Sequence, residues 1–119
     1  MKVQKILLEL KKNNLLDDRD IFTYATIQNA FGGAIEVIRG GVLISVCHEK
    51  LYIHRAKLDN SYGECYFEFY VSELQDVKGK AGLFGGRFSF VVNGQRYRFQ
   101  LPSRANAFVD YFTKNSGGK

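Results

Sequence analysis

The chain reads as a mainly β domain: about seven short antiparallel strands forming a small barrel or sandwich, capped by one C-terminal helix and preceded by a short N-terminal helix. Three observations carry this. Arg87 to Val92 and Gln95 to Leu101 alternate polar and apolar residues on either side of Asn93-Gly94, a pair that accepts the positive backbone angles of a two-residue hairpin turn. Ser103 to Lys114 then switches to helical spacing, with Ala105, Phe108, Val109 and Phe112 on one stripe. Upstream, apolar runs of strand length recur between glycine-rich or polar turns, and ten Phe and seven Tyr against one Pro favour β structure.

Taken in order, Val3, Ile6, Leu7 and Leu10 recur at helical spacing and Asn13-Asn14 ends the pattern, predicting an amphipathic helix within residues 1–14. Ile21 to Phe31 reads as a strand from its β-branched and aromatic residues, although Asp18 or Asp20 could cap a helix ended by Gly32-Gly33. Ala34 to Ile38 is a short strand or a strand-like connection. Val42 to His48 and Leu51 to Lys57 form a hairpin turning at His48-Glu49-Lys50, and Asp59 to Gly63 is a loop by its turn residues. Cys65 to Val71 is a strand with Cys65, Phe67, Phe69 and Val71 inward and Tyr66, Glu68 and Tyr70 outward. Ser72 to Lys80 is a weaker strand around Leu74 and Val77, and Gly79 to Gly86 is a glycine-rich connection to the Asn93 hairpin. In that hairpin Phe88, Phe90 and Val92 share one face, as do Tyr97, Phe99 and Leu101; Pro102 and a capping Ser103 open a helix over 103–114, whose stripe must cover an open end of the sheet.

Strands over 21–101 and a closing helix make one domain of the 119 residues, a length that buries a sufficient core unaided. The Ser116 to Lys119 tail reads as a frayed end. Cys47 and Cys65 are too few for a disulfide scaffold or a zinc knuckle, which points to reduced thiols and a cytoplasmic location. Lys5 and Glu9 interrupt what would be the apolar run of a signal peptide, and no stretch approaches the roughly 20 apolar residues that span a bilayer. Membrane contact is expected to be peripheral at most.

The net charge of +5 is unevenly placed. From Lys78 onward eight bases face one acid, Asp110, while residues 1–77 hold nine bases and eleven acids, giving +7 and −2. Such asymmetry favours anionic partners. Arg96 and Arg98 alternate with Tyr97 and Phe99 and so project from the outer face, with Arg87 across the hairpin; guanidinium forks in a row hold phosphate or carboxylate, with Glu64, Glu68 and Glu73 as the acids that could otherwise offset them. Leu83-Phe84, flanked by Lys78, Lys80 and Arg87, is placed either to enter a lipid interface or to fold over the end of the sheet. The surrounding glycines lack the strand-loop-helix context and the Lys-Ser or Lys-Thr of a phosphate-binding loop.

Cys47, His48, Glu49 and His54 invite a metal or nucleophile reading, but strand geometry turns Cys47 and His48 to opposite faces and no Asp or Asn is placed to orient a histidine. No metal site, cofactor or catalytic residue is expected, and both cysteines read as small core or semi-core fillers. Tyr66, Tyr70 and Tyr97 could stack nucleobases, an arrangement the terminal helix argues against.

The order of elements and three local stretches resemble the pleckstrin-homology superfold, most closely its bacterial, GRAM-related branch. The stretches are Gly41 to Ile53, a Gly-Val-Leu strand with a charged turn and an apolar strand; Phe69 to Val77, an aromatic strand followed by Leu-x-x-Val; and Gly82 to Phe90 with Gln95 to Leu101 and the Ala105 to Phe112 helix. The resemblance spans residues 21–114 and implies a non-enzymatic binding module. The basic Lys…Arg-x-Arg pattern of phosphoinositide-binding members is missing from the first two strands, and Phe108, Tyr111 and Phe112 stand where eukaryotic members keep a Trp. The expected function is docking to an anionic lipid surface or an acidic protein through Lys78, Lys80, Arg87, Arg96 and Arg98. A protein-interaction or self-assembly module using a strand edge, and a single-stranded nucleic-acid binder, are the other readings.

Overall fold

The structure, a computed structural model, describes residues 2–27, 41–57, 62–103 and 105–117. It is built from helix α1 (Lys2–Lys12), strands β1 (Phe22–Ile27), β2 (Gly41–Cys47), β3 (Lys50–Ala56) and β4 (Tyr62–Tyr70), a 3-10 turn (Val71–Glu73), strands β5 (Gln75–Lys80), β6 (Gly86–Val92) and β7 (Gln95–Leu101), and helix α2 (Asn106–Gly117). The segment left open between strand and helix is a strand over Phe22–Ile27, with Ile21 just before it; residues 28–31, and the short strand expected at 34–38, lie outside the described residues.

All seven strands join one antiparallel sheet in the order β4-β3-β2-β1-β7-β6-β5. Five of the six joints pair strands consecutive in sequence, and the non-sequential joint is β1 with β7, where Thr26 meets Gln100 and Ile27 meets Phe99. Two turns show their chemistry directly. Asn93 and Gly94 both take positive φ (53° and 80°), which closes the β6–β7 hairpin with no intervening loop. His48 (φ 57°) turns the β2–β3 hairpin.

The sheet is folded on itself. Four strand steps separate β4 from β7, about 19 Å in a flat sheet, yet Phe67 and Phe69 of β4 lie 5.3 and 5.4 Å from the Tyr97 ring of β7, and Phe69 lies 5.9 Å from Phe90 of β6. Among the described residues β4 and β5 do not pair, so the folded sheet stays open and is nearer a sandwich than a closed barrel. The space enclosed is the main core. Val42, Ile44, Val46, Leu51, Ile53, Phe88, Phe90 and Phe99 fill it from the sheet, and Ala105 with the α2 stripe of Phe108, Val109 and Phe112 closes it. The Phe108 and Phe112 rings pack 5.1 and 4.9 Å from Phe88. Helix α2 also presses on β5 at Gly79, where an added Cβ would lie 3.1 Å from the Val109 side chain.

A second, smaller core lies on the opposite face of the sheet, where Ile6 and Leu10 of α1 and Leu16 bury Leu43 against Phe22, Tyr24 and Tyr62. His54, paired across the strands with Leu43, is buried on the same face.

Two expectations need correction. Cys65 is exposed rather than a core or semi-core filler. Ile53 pairs with Phe67 but His54 pairs with Cys65, so Tyr66 is an extra residue in β4; this bulge resets the alternation, sends Cys65 to the outer face and packs Tyr66 against the core. Helix α2 starts at Asn106 and runs to Gly117, so Ser103 lies in the turn before it and not at its cap.

Candidate basic cleft and apolar tip

The outer face of β5, β6 and β7 collects most of the predicted bases. Register alone places two rows there: Lys78 beside Ser89 beside Arg98, and Lys80 beside Arg87 beside Gln100. Between them runs the row Gly79, Phe88 and Phe99, whose phenyl rings point into the core. The outer surface between the basic rows is therefore backbone-floored. A cleft of about 360 Å³ opens here, lined by Lys78, Lys80, Arg87, Ser89 and Arg98 over that floor.

Arg96 is not part of this cleft. It is half-buried and held by the Asp76 carboxylate, and it donates to Ser89 Oγ at 2.9 Å. The acid offsetting this end of the hairpin is thus Asp76, and not Glu64, Glu68 or Glu73. Glu64 pairs with Arg55 at 2.9 Å, Glu68 with Lys50 at 2.8 Å, and Glu73 accepts the Tyr70 N–H at 3.0 Å. The reason is topological, because β4 and the 3-10 turn do not adjoin β7 on this face. Asp76 reaches Arg96 from a bulge: Gln75 pairs with Val91 and Lys78 with Ser89, leaving one extra residue in β5, and Asp76 takes φ 48°.

Lys80 and Arg87 stand directly opposite one another across β5 and β6, and among the described residues neither has a carboxylate partner. Like charges in that relation destabilise a strand pair. Among the described residues Lys78 has as its carboxylate neighbour Asp76, at 3.8 Å.

The loop joining these strands carries the apolar tip. Phe84 is 99% exposed and Leu83 65%, so the pair projects outward and does not fold over the end of the sheet. Its base is pinched: a Cβ on Gly86 would fall 2.0 Å from the Lys80 carbonyl oxygen, and Gly85 has φ +122°. A second hollow, lined by Phe84, Gly85, Gly86, Arg87 and Gln100, places Arg87 between cleft and tip.

The remaining candidates separate. Burial pushes the Cys47 thiol up, disfavouring the thiolate, and burial holds His54 down to about 4. His54 lies 5.0 Å from the Tyr62 ring, with neither nitrogen hydrogen-bonded. No cluster of three metal-ligating side chains occurs among the described residues. The three tyrosines weighed as a nucleobase platform do not form one, since Tyr97 is buried, Tyr66 packs on the core and Tyr70 lies under Lys50 at 5.0 Å. Of the sheet edges, β4 is interrupted by the Tyr66 bulge and lined by exposed Glu64 and Glu68, features that oppose strand addition.

One polar cluster escaped the sequence reading. Arg19 donates to both Asp17 carboxylate oxygens, to the His48 carbonyl at 2.7 Å and to the Tyr111 hydroxyl at 3.1 Å, while Asp17 accepts the His48 N–H at 2.6 Å. The Arg19 guanidinium holds the Asp17 carboxyl down to about 2. This ties the segment before β1 to the β2–β3 turn and to α2. The Asp17-Asp18-Arg19-Asp20 run was its only local signal.

Comparison with protein-family models, curated proteins and solved structures finds no match to this chain. Among the described residues no helix is long and apolar enough to cross a membrane.

Proposed function

We propose that the protein is a non-enzymatic, pleckstrin-homology-like binding module that docks reversibly onto an anionic lipid surface with the β5–β6 end foremost. In this reading Leu83 and Phe84 enter the interface while Lys78, Lys80, Arg87 and Arg98 meet the headgroups. The observation that carries it is the fully exposed Phe84, beside Leu83, at the tip of a loop flanked by Lys80 and Arg87, which have no carboxylate partner among the described residues. Seven antiparallel strands closed by a C-terminal helix support the pleckstrin-homology comparison.

The magnitudes suit a reversible contact. Burying a Leu or Phe side chain contributes about 1.5–3 kcal/mol, and each base near an anionic surface about 1 kcal/mol. Against the loss of translational and rotational freedom, neither the tip nor the cations suffice alone. Binding to phosphatidylcholine vesicles is therefore expected to be weak, to rise steeply with added anionic lipid, and to fall with salt. Co-sedimentation checks this, with Lys80→Glu/Arg87→Glu as the variant that loses binding. Sedimentation that ignores lipid charge and salt refutes the reading.

A further inference from the structure

Lipid docking by charge alone needs only a convex basic surface, whereas this chain builds a concave one. Lys78 and Arg98 wall one side of the cleft with Ser89 between them, and Lys80 and Arg87 wall the other. Residues two apart on one strand face are about 7 Å apart and neighbouring strands about 4.8 Å. Four cationic stems thus rise around a floor roughly 7 by 10 Å, with a hydroxyl at the middle of one wall. The floor carries no side chain on this face, because Gly79 has none and Phe88 and Phe99 send theirs to the core.

Two of these four cations, Lys80 and Arg87, also differ from the other bases of the domain in their partners. Lys11, Arg19, Lys50, Arg55 and Arg96 each have a carboxylate within 3 Å. Lys80 and Arg87, directly opposed, have none among the described residues. Their repulsion is relieved by an anion seated between them.

We propose that the cleft seats a single phosphomonoester group, supplied by a lipid of the phosphatidate type; the proposal rests on the docking function above. A monoester is close to a dianion at neutral pH and offers three unsubstituted oxygens, enough for lysine and arginine donors converging from both walls. A phosphodiester carries only one charge and two unsubstituted oxygens, a poorer match for cations converging from both walls. The exposed Leu83 and Phe84, joined to the cleft through Arg87, favour a lipid over a soluble ester as the source.

The test uses the whole chain with two vesicle sets matched in surface potential, phosphatidylcholine containing phosphatidate and phosphatidylcholine containing phosphatidylserine. Glycerol 3-phosphate is added separately while backbone amide shifts are followed. The expected result is about tenfold tighter binding to phosphatidate vesicles, with glycerol 3-phosphate shifting the amides of Gly79, Phe88 and Ser89. Lys80→Ala/Arg87→Ala should remove the preference while the circular dichroism spectrum stays unchanged. Equal binding to both vesicle sets overturns the phosphomonoester seat and leaves the docking function standing. Shifts with glycerol 3-phosphate but no vesicle binding overturn the lipid source and the docking function together. Neither shifts nor vesicle binding overturns everything proposed for this face.

Discussion

The two halves of the sheet share one inner core but have opposite outer faces. Behind β1, β2 and β3 the outer face is apolar, and α1 lies on it, burying Leu43 and screening Phe22, Tyr24 and Tyr62. Behind β5, β6 and β7 it is cationic, and none of the described residues covers it. A sheet this size needs only one buried face to fold. Covering the first half with a helix gives the domain a second small core; leaving the second bare keeps surplus charge where a partner can reach it. The charge division of the sequence, −2 before Lys78 and +7 from it onward, follows the same line.

The comparison breaks most completely at the element both halves share. Phe88 touches Phe90, Phe99, Phe108 and Phe112, so it joins the β6–β7 hairpin to α2 at the centre of the main core. Phe88→Ala should cost about 3–5 kcal/mol, a large part of the 5–15 kcal/mol typical of a domain. Chemical unfolding followed by circular dichroism measures it. A loss under about 1 kcal/mol would mean that the two halves do not depend on this packing.

Acid should act first on the α1 half. His54 is buried against Leu43 and the Tyr62 ring, and burial holds it down to about 4 from an ordinary 6.5. Because the folded pKa is the lower one, the neutral imidazole's stability is fully present above pH 6.5 and is lost as pH falls towards 4. At 1.36 kcal/mol per pKa unit the total is about 3 kcal/mol. Asp17 obeys the same sign lower down, its stabilisation shrinking only as pH falls below the ordinary 3.8 towards about 2. Unfolding midpoints between pH 7 and 4 should therefore drop for the natural chain and stay nearly flat in His54→Leu. Equal slopes would show that His54 is hydrated in the native state.

Much of this division was legible because strand alternation is a period of two. Phe88, Phe90, Tyr97 and Phe99 share the inner face by spacing alone, and the same count puts Arg87 and Arg98 outside. The count fails wherever a strand gains a residue. Tyr66 displaces Cys65 from the core, and the bulge in β5 delivers Asp76 to Arg96, which removes one expected ligand from the basic face. Neither bulge has a glycine or proline to announce it. Contacts between distant segments were equally silent: Arg19 and Tyr111 are 92 residues apart, and only the fold brings them together.

The smallest effect on stability should fall at the tip, where the effect on docking is large. Phe84 buries almost nothing against the rest of the chain and Leu83, 65% exposed, only a minor part, so Leu83→Ser/Phe84→Ser should change unfolding free energy by no more than about 0.5 kcal/mol. If the pair enters lipid, the same change removes about 3–6 kcal/mol of interfacial burial at most, and vesicle affinity should fall at least tenfold. The salt dependence of the residual binding should persist, because Lys78, Lys80, Arg87 and Arg98 remain. Lys80→Glu/Arg87→Glu should instead flatten that dependence. Two variants at one end of the sheet would thus fail in different ways, which a purely electrostatic surface would not produce. Unchanged affinity in the serine variant would reduce the tip to a spacer and leave the basic half of the sheet to act by charge alone.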